Sequence, residues 1–84
     1  MNKKEDEARR MSETRLERAS EHLAARLRHL RRKEGLTQHQ LAAKAGTSRA
    51  TIARIENETG VPELGTLAQI AEALEVDVGD LFKG

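Results

Sequence analysis

Between Thr37 and Asn57 the chain sets a small residue, a glycine and two isoleucines at offsets that leave few ways to fold. With Gln38 counted as position one, Ala42 falls at five, Gly46 at nine, Ile52 at fifteen and Ile55 at eighteen. Apolar positions follow helical spacing on both sides of Gly46, so two short helices are expected to meet across a tight turn. Ala42 stands where those helices cross, and a larger side chain there would push them apart. Gly46 lets the chain reverse without backbone strain. Ile52 and Ile55 then fasten the second helix to the core.

The flanking sequence supplies that core. Leu23, Leu27 and Leu30 predict a first helix ending near Glu34, with Gly35 as its left-handed stop and Leu36 folding back onto Leu30. Thr37-x-x-Gln40 reads as a capping box that starts a helix at Gln38, with Leu41, Ala42 and Ala45 inward. Thr47 or Ser48 caps the next helix. A polar connection containing Gly60 and Pro62 leads to a fourth helix from about Leu64 to Leu74, burying Leu67, Ile70, Ala71 and Leu74. Glu63 at its cap and Gly65 in its first turn specify that start weakly. Asp77 is expected to cap a last short helical turn holding Leu81 and Phe82. The expectation is a compact all-α domain of five helices over residues 20–84.

Residues 1–19 read as a separate charged N-terminal extension, either an arm or a lengthening of the first helix. Its large apolar groups are chiefly Met11 and Leu16, and Leu16, Leu23 and Leu30 recur every seven residues.

Composition narrows the function. The chain has no cysteine for a disulfide, and His22, His29 and His39 are scattered, so neither a metal nor a cofactor is expected. No apolar run approaches 18 residues and Met1 to Arg10 is charged, which argues against a membrane span or signal peptide and for the cytoplasm. Phe82 is the single aromatic residue, so stacking on unpaired bases is excluded as a main binding mode. No nucleophile–base pair suggests an enzyme. Charge is uneven: residues 1–34 carry 11 Lys/Arg against 7 Asp/Glu, residues 35–57 carry 3 against 1, and residues 58–84 carry 1 against 6. The folded domain should therefore show a basic and an acidic side.

The segments LRHLRRKEGLTQHQLAAKAGTSRATIARIEN and TLAQIAEALEVDVGDLF, in that order, resemble the lambda-repressor/Cro-type (XRE) helix-turn-helix family over about residues 23–82. The resemblance implies a bacterial or phage transcriptional regulator that binds double-stranded DNA. Its recognition helix, at about residues 48–56, would lie in the major groove while the preceding helix crosses the backbone. Carried over by position, Gln38 would hold a phosphate at a helix N-terminus and reach the outermost base. Ser48 would cap the recognition helix and contact phosphate or base. Arg49 and Ala50 would enter the groove, Thr51 would touch phosphate or base, and Arg54 would follow one turn on. Arginine can give guanine two parallel hydrogen bonds, so Arg49 and Arg54 would favour G·C pairs, while Ala50 offers only a methyl group.

Lys44 and the Arg31-Arg32-Lys33 run read as solubilising charges. The chain departs from the family where Asn57, Glu58 and Thr59 replace cations that usually grip phosphate. The resemblance further implies a homodimer on a short inverted repeat, acting by default as a repressor. Val76, Val78, Leu81 and Phe82 are the dimer-contact candidates, with packing of Leu81 and Phe82 into the core as the alternative. A second reading is an antitoxin of a toxin–antitoxin pair, holding a protein partner through the N-terminal extension.

Overall fold

The computed structural model describes residues 3–83, which form four α-helices and a terminal 3-10 segment. The helices are α1 (Lys3–Lys33), α2 (Gln38–Ala45), α3 (Arg49–Glu56) and α4 (Leu64–Ala73), and the 3-10 segment spans Val78–Phe82. Among the described residues there is no strand.

Local chemistry sets the boundaries. Thr37 and Gln40 close the expected capping box: the Gln40 N–H donates to the Thr37 hydroxyl at 3.0 Å, and the Thr37 N–H donates to Gln40 Oε1 at 2.9 Å. Helix α2 ends at Gly46, whose φ of 73° is the left-handed conformation, and the Thr47 N–H returns to the Ala42 carbonyl at 2.9 Å. Ser48 then caps α3 by accepting from the Thr51 N–H at 3.1 Å. Two helices are thus joined by a short turn with its polar ends satisfied. Glu63 makes no side-chain cap bond to α4, yet that helix still starts at Leu64, because Leu67, Ile70 and Ala71 pull its inner face into the core.

Leu23, Leu27, Leu41, Ile52, Ile70 and Leu81 are the largest fully buried side chains, drawn from every element. Each contributes roughly 1.5–3 kcal/mol through removal of apolar surface from water. Around them α2 packs on α3, α1 lies against α3, α4 lies against α2, and the 3-10 segment closes against α1 and α4.

One expectation needs revision, and one left open is decided. There are four α-helices, not five: the C-terminal element is a five-residue 3-10 segment. So short a stretch, with Gly79 inside it, closes only tight i→i+3 turns, such as the Asp80 N–H to the Asp77 carbonyl at 2.9 Å. The N-terminal residues, left open between arm and helix, continue α1 without a break from Lys3, and Met1 and Asn2 lie outside the described residues. The buried residues of α1 are Leu23, Ala24, Leu27, Leu30 and Arg31, so its N-terminal half overhangs the domain. The molecule measures 48 × 23 × 19 Å, its long dimension set by that helix.

Candidate nucleic-acid interface

Helix α3 has two faces of different character. Ile52, Ile55 and Glu56 are buried, while Arg49, Ala50 and Arg54 are exposed and Thr51 and Ala53 are half-buried. Helical periodicity explains the split, since residues 52, 55 and 56 lie on one side and 50 and 54 on the other. The isoleucines fix the helix from behind. Arg49 and Arg54 extend into solvent from a backbone kept close to the surface by Ala50 and Ala53. Ala53 was not singled out from sequence, although its i+3 spacing from Ala50 places it beside the same face.

Ser48 and Thr51 form the leading edge. Their hydroxyls lie 2.9 Å apart and hydrogen-bond each other, which leaves one hydroxyl proton of the pair for an outside acceptor. The N–H groups of Arg49 and Ala50 belong to the first turn and have no helix carbonyl to donate to. A positive helix end therefore sits beside the arginines, a setting that favours an anion. Gln38 opens α2. It is half-buried, and its side-chain amide donates at 3.4 Å to Glu56 Oε1.

Glu56, the last residue of α3, organises a set of contacts that sequence reasoning missed. Its carboxylate accepts from Arg31 Nε at 2.7 Å and from Arg31 Nη2 at 2.9 Å, and Arg28 Nε stands 3.6 Å away. Arg31 also donates to the Leu36 carbonyl at 2.8 Å, and Arg28 donates to the Glu56 carbonyl at 2.8 Å. Arg31 is therefore no solubilising charge; it is buried and ties α1 to the end of α3. The signal was present in the sequence, because Arg31 follows Leu27 by four residues on the core stripe. Burial alone would push the Glu56 carboxyl up. The hydrogen bonds from Arg31 and Gln38 and the charges of Arg31 and Arg28 outweigh it and hold the carboxyl below its usual range. The same pairing raises Arg31, against the opposing effect of burial.

The remaining sequence candidates lie in and just before the C-terminal 3-10 segment. Leu81 is fully buried in the core, Val76 and Val78 are half-buried against it, and Phe82 is 40% exposed. Of these four, Phe82 offers the most surface to another molecule.

Two short helices at a glycine turn, the second anchored by isoleucines and bare on its outer side, define a helix-turn-helix domain. Residues 27–81 match the family model HTH_3, described as helix-turn-helix, and the chain belongs to that family. The similarity to Cro-type domains noted from sequence agrees with this assignment. Among curated relatives, the HTH-type transcriptional repressor RghR of Bacillus subtilis is 46% identical over 57 residues, spanning 67% of this chain and 42% of RghR. The immunity repressor protein of Bacillus phage phi105 is 43% identical over 53 residues, or 63% of this chain and 37% of that protein. The chain thus spans less than half the length of these relatives. Among solved structures, an HTH_3 family transcriptional regulator from Vibrio cholerae superposes with a TM-score of 0.75 at 30% identity, covering 80% of this chain and 38% of that one. The hypothetical transcription factor NHTF from Neisseria gives 0.74 at 26% identity, covering 77% of this chain and 75% of that one. No helix among the described residues is long and apolar enough to cross a membrane.

Proposed function

We propose that this chain is a sequence-specific double-stranded DNA-binding transcriptional regulator, acting in the cytoplasm as a dimeric repressor on an inverted-repeat operator. One observation carries the reading: the Arg49, Ala50 and Arg54 side of α3 is exposed, while Ile52, Ile55 and Glu56 hold the same helix rigidly from behind. Placed in a major groove, Arg49 and Arg54 would each present a fork of donors to guanine O6 and N7, and Ala50 a methyl group to thymine. Ser48, Thr51 and Gln38, at two helix N-termini, would meet the phosphates that flank the contacted bases. The curated relatives named as repressors support the sign of regulation.

A domain with so few base contacts would bind one half-site weakly. Two copies related by a two-fold axis would double the contacts and read half-sites about 34 Å apart. Selection of the full chain on random-sequence duplexes at a fixed salt concentration tests the proposal. A short inverted repeat containing G·C pairs in each half is expected; failure to enrich any motif above the starting pool would overturn the reading.

A further inference from the structure

The N-terminal half of α1 carries a pattern of charge that the DNA reading does not use. Leu16 and Val61, 56% and 46% exposed, face a shared groove between α1 and the loop after α3, and Glu17, Glu21 and Glu58 line the same groove. Elsewhere on that half of the helix, Met11, also 56% exposed, shares a shallow hollow with Arg10, Arg15 and Arg18. One surface is apolar with an acidic border; the other is apolar with a basic border. Among the described residues, none of these six charged side chains has an ion-pair partner.

Opposite charges stand at helical spacing along much of this segment, as Glu7 and Arg10 or Arg18 and Glu21 do, but each of the two surfaces also carries a like-charge pair. Glu17 and Glu21 stand at i and i+4, and Arg15 and Arg18 at i and i+3, so like charges are neighbours in both groups. Such pairs destabilise an isolated helix. This half of α1 also contributes no buried residue to the core. Opposite charges brought from outside would offset both like-charge pairs. The matching surface is on the chain itself.

From this we infer that a second copy of the chain docks here. The Met11 side of one α1 enters the Leu16–Val61 groove of its partner, with Arg10, Arg15 and Arg18 set against Glu17, Glu21 and Glu58. Under a two-fold axis the contact is made twice, since each copy presents both surfaces. The inference rests on the proposed function only for the expectation of two copies. It moves their contact from the C-terminal candidates to α1.

Charge reversal in the full chain tests it. Arg15→Glu/Arg18→Glu and Glu17→Lys/Glu21→Lys are prepared separately, with helix content checked by circular dichroism, and association is followed by sedimentation velocity. Wild type should dimerise, more weakly as salt rises. Each variant alone should have its dimer Kd raised at least about tenfold, because like charges now face each other. An equal mixture of the two should recover dimers, since one copy is then acidic throughout and the other basic. A monomeric wild type, a variant that associates as tightly as wild type, or a mixture no tighter than its components would each overturn the inference. DNA selection with wild type is scored separately, so loss of the operator reading and loss of this interface are distinguishable.

Discussion

Arg31 of α1 and Glu56 at the end of α3 are 25 residues apart in sequence and joined by two parallel hydrogen bonds of 2.7 and 2.9 Å, with the Glu56 side chain 1% exposed. The guanidinium matches the carboxylate as a fork, and a third donor, on Nη1, reaches the Leu36 carbonyl. The pair therefore joins the helix that carries the exposed arginines to the longest helix in the chain and to the turn that precedes α2. It is a positioning device, placed behind the surface it supports.

Removing one partner of this pair should be expensive. Arg31→Ala leaves the buried carboxylate only the Gln38 amide at 3.4 Å and Arg28 at 3.6 Å, and a loss of up to about 3–5 kcal/mol in unfolding free energy is expected from urea titration. Arg32→Ala, one residue along and exposed, should stay within about 0.5 kcal/mol. Equal effects at the two positions would contradict the structural role assigned to Arg31.

Acid sensitivity follows from the same contact. The folded-state Glu56 carboxyl titrates below its ordinary value of 4.5. Its stabilisation is therefore complete above that value, where the unfolded chain is also ionised, and is lost as pH falls through the lowered folded value. Glu56→Gln should be less stable than wild type at neutral pH, with the gap narrowing below about pH 4.5. Urea midpoints collected across the acid range check this, and a gap independent of pH would refute it.

Backbone conformation makes a paired prediction. Gly46 has a φ of 73°, and a Cβ added there would meet nothing within 4 Å, so Gly46→Ala should cost about 1 kcal/mol through left-handed strain alone. Glu75, one residue past the Leu74 C-cap of α4, has a φ of 58° with a Cβ in place, so Glu75→Gly should stabilise the domain by about 1 kcal/mol. Thermal unfolding of the two variants should shift in opposite directions.

These positions also mark what could be read from sequence. The capping box at Thr37, the turn at Gly46 and the Ile52/Ile55 anchors were legible because local bonding and helical spacing decide them. So was the exposed row formed by Arg49, Ala50 and Arg54, which is what remains of α3 once its inner face is assigned. Glu56 and Arg31 were not read as a pair, since their contact spans 25 residues and charge runs such as Arg31-Arg32-Lys33 usually face water. The unbroken helix from Lys3 was one of two readings left open: few apolar residues mark its N-terminal half, so periodicity could not separate arm from helix. At the C-terminus, spacing left Leu81 open between a dimer contact and the core, where the structure buries it, and could not distinguish an α-helical turn from a 3-10 turn in five residues.

The central claim is that the outer face of α3 meets base edges in the major groove, and Arg54 is its most direct probe. In the selected operator, each guanine can be replaced in turn by 7-deazaguanine, which removes the N7 acceptor and leaves the minor groove unchanged. Wild type should lose about 1–3 kcal/mol of binding free energy at one such guanine, and Arg54→Ala should be insensitive to that same replacement. If wild type tolerates every replacement, or if Arg54→Ala remains as sensitive as wild type at each one, Arg54 does not read the groove and the account of α3 fails.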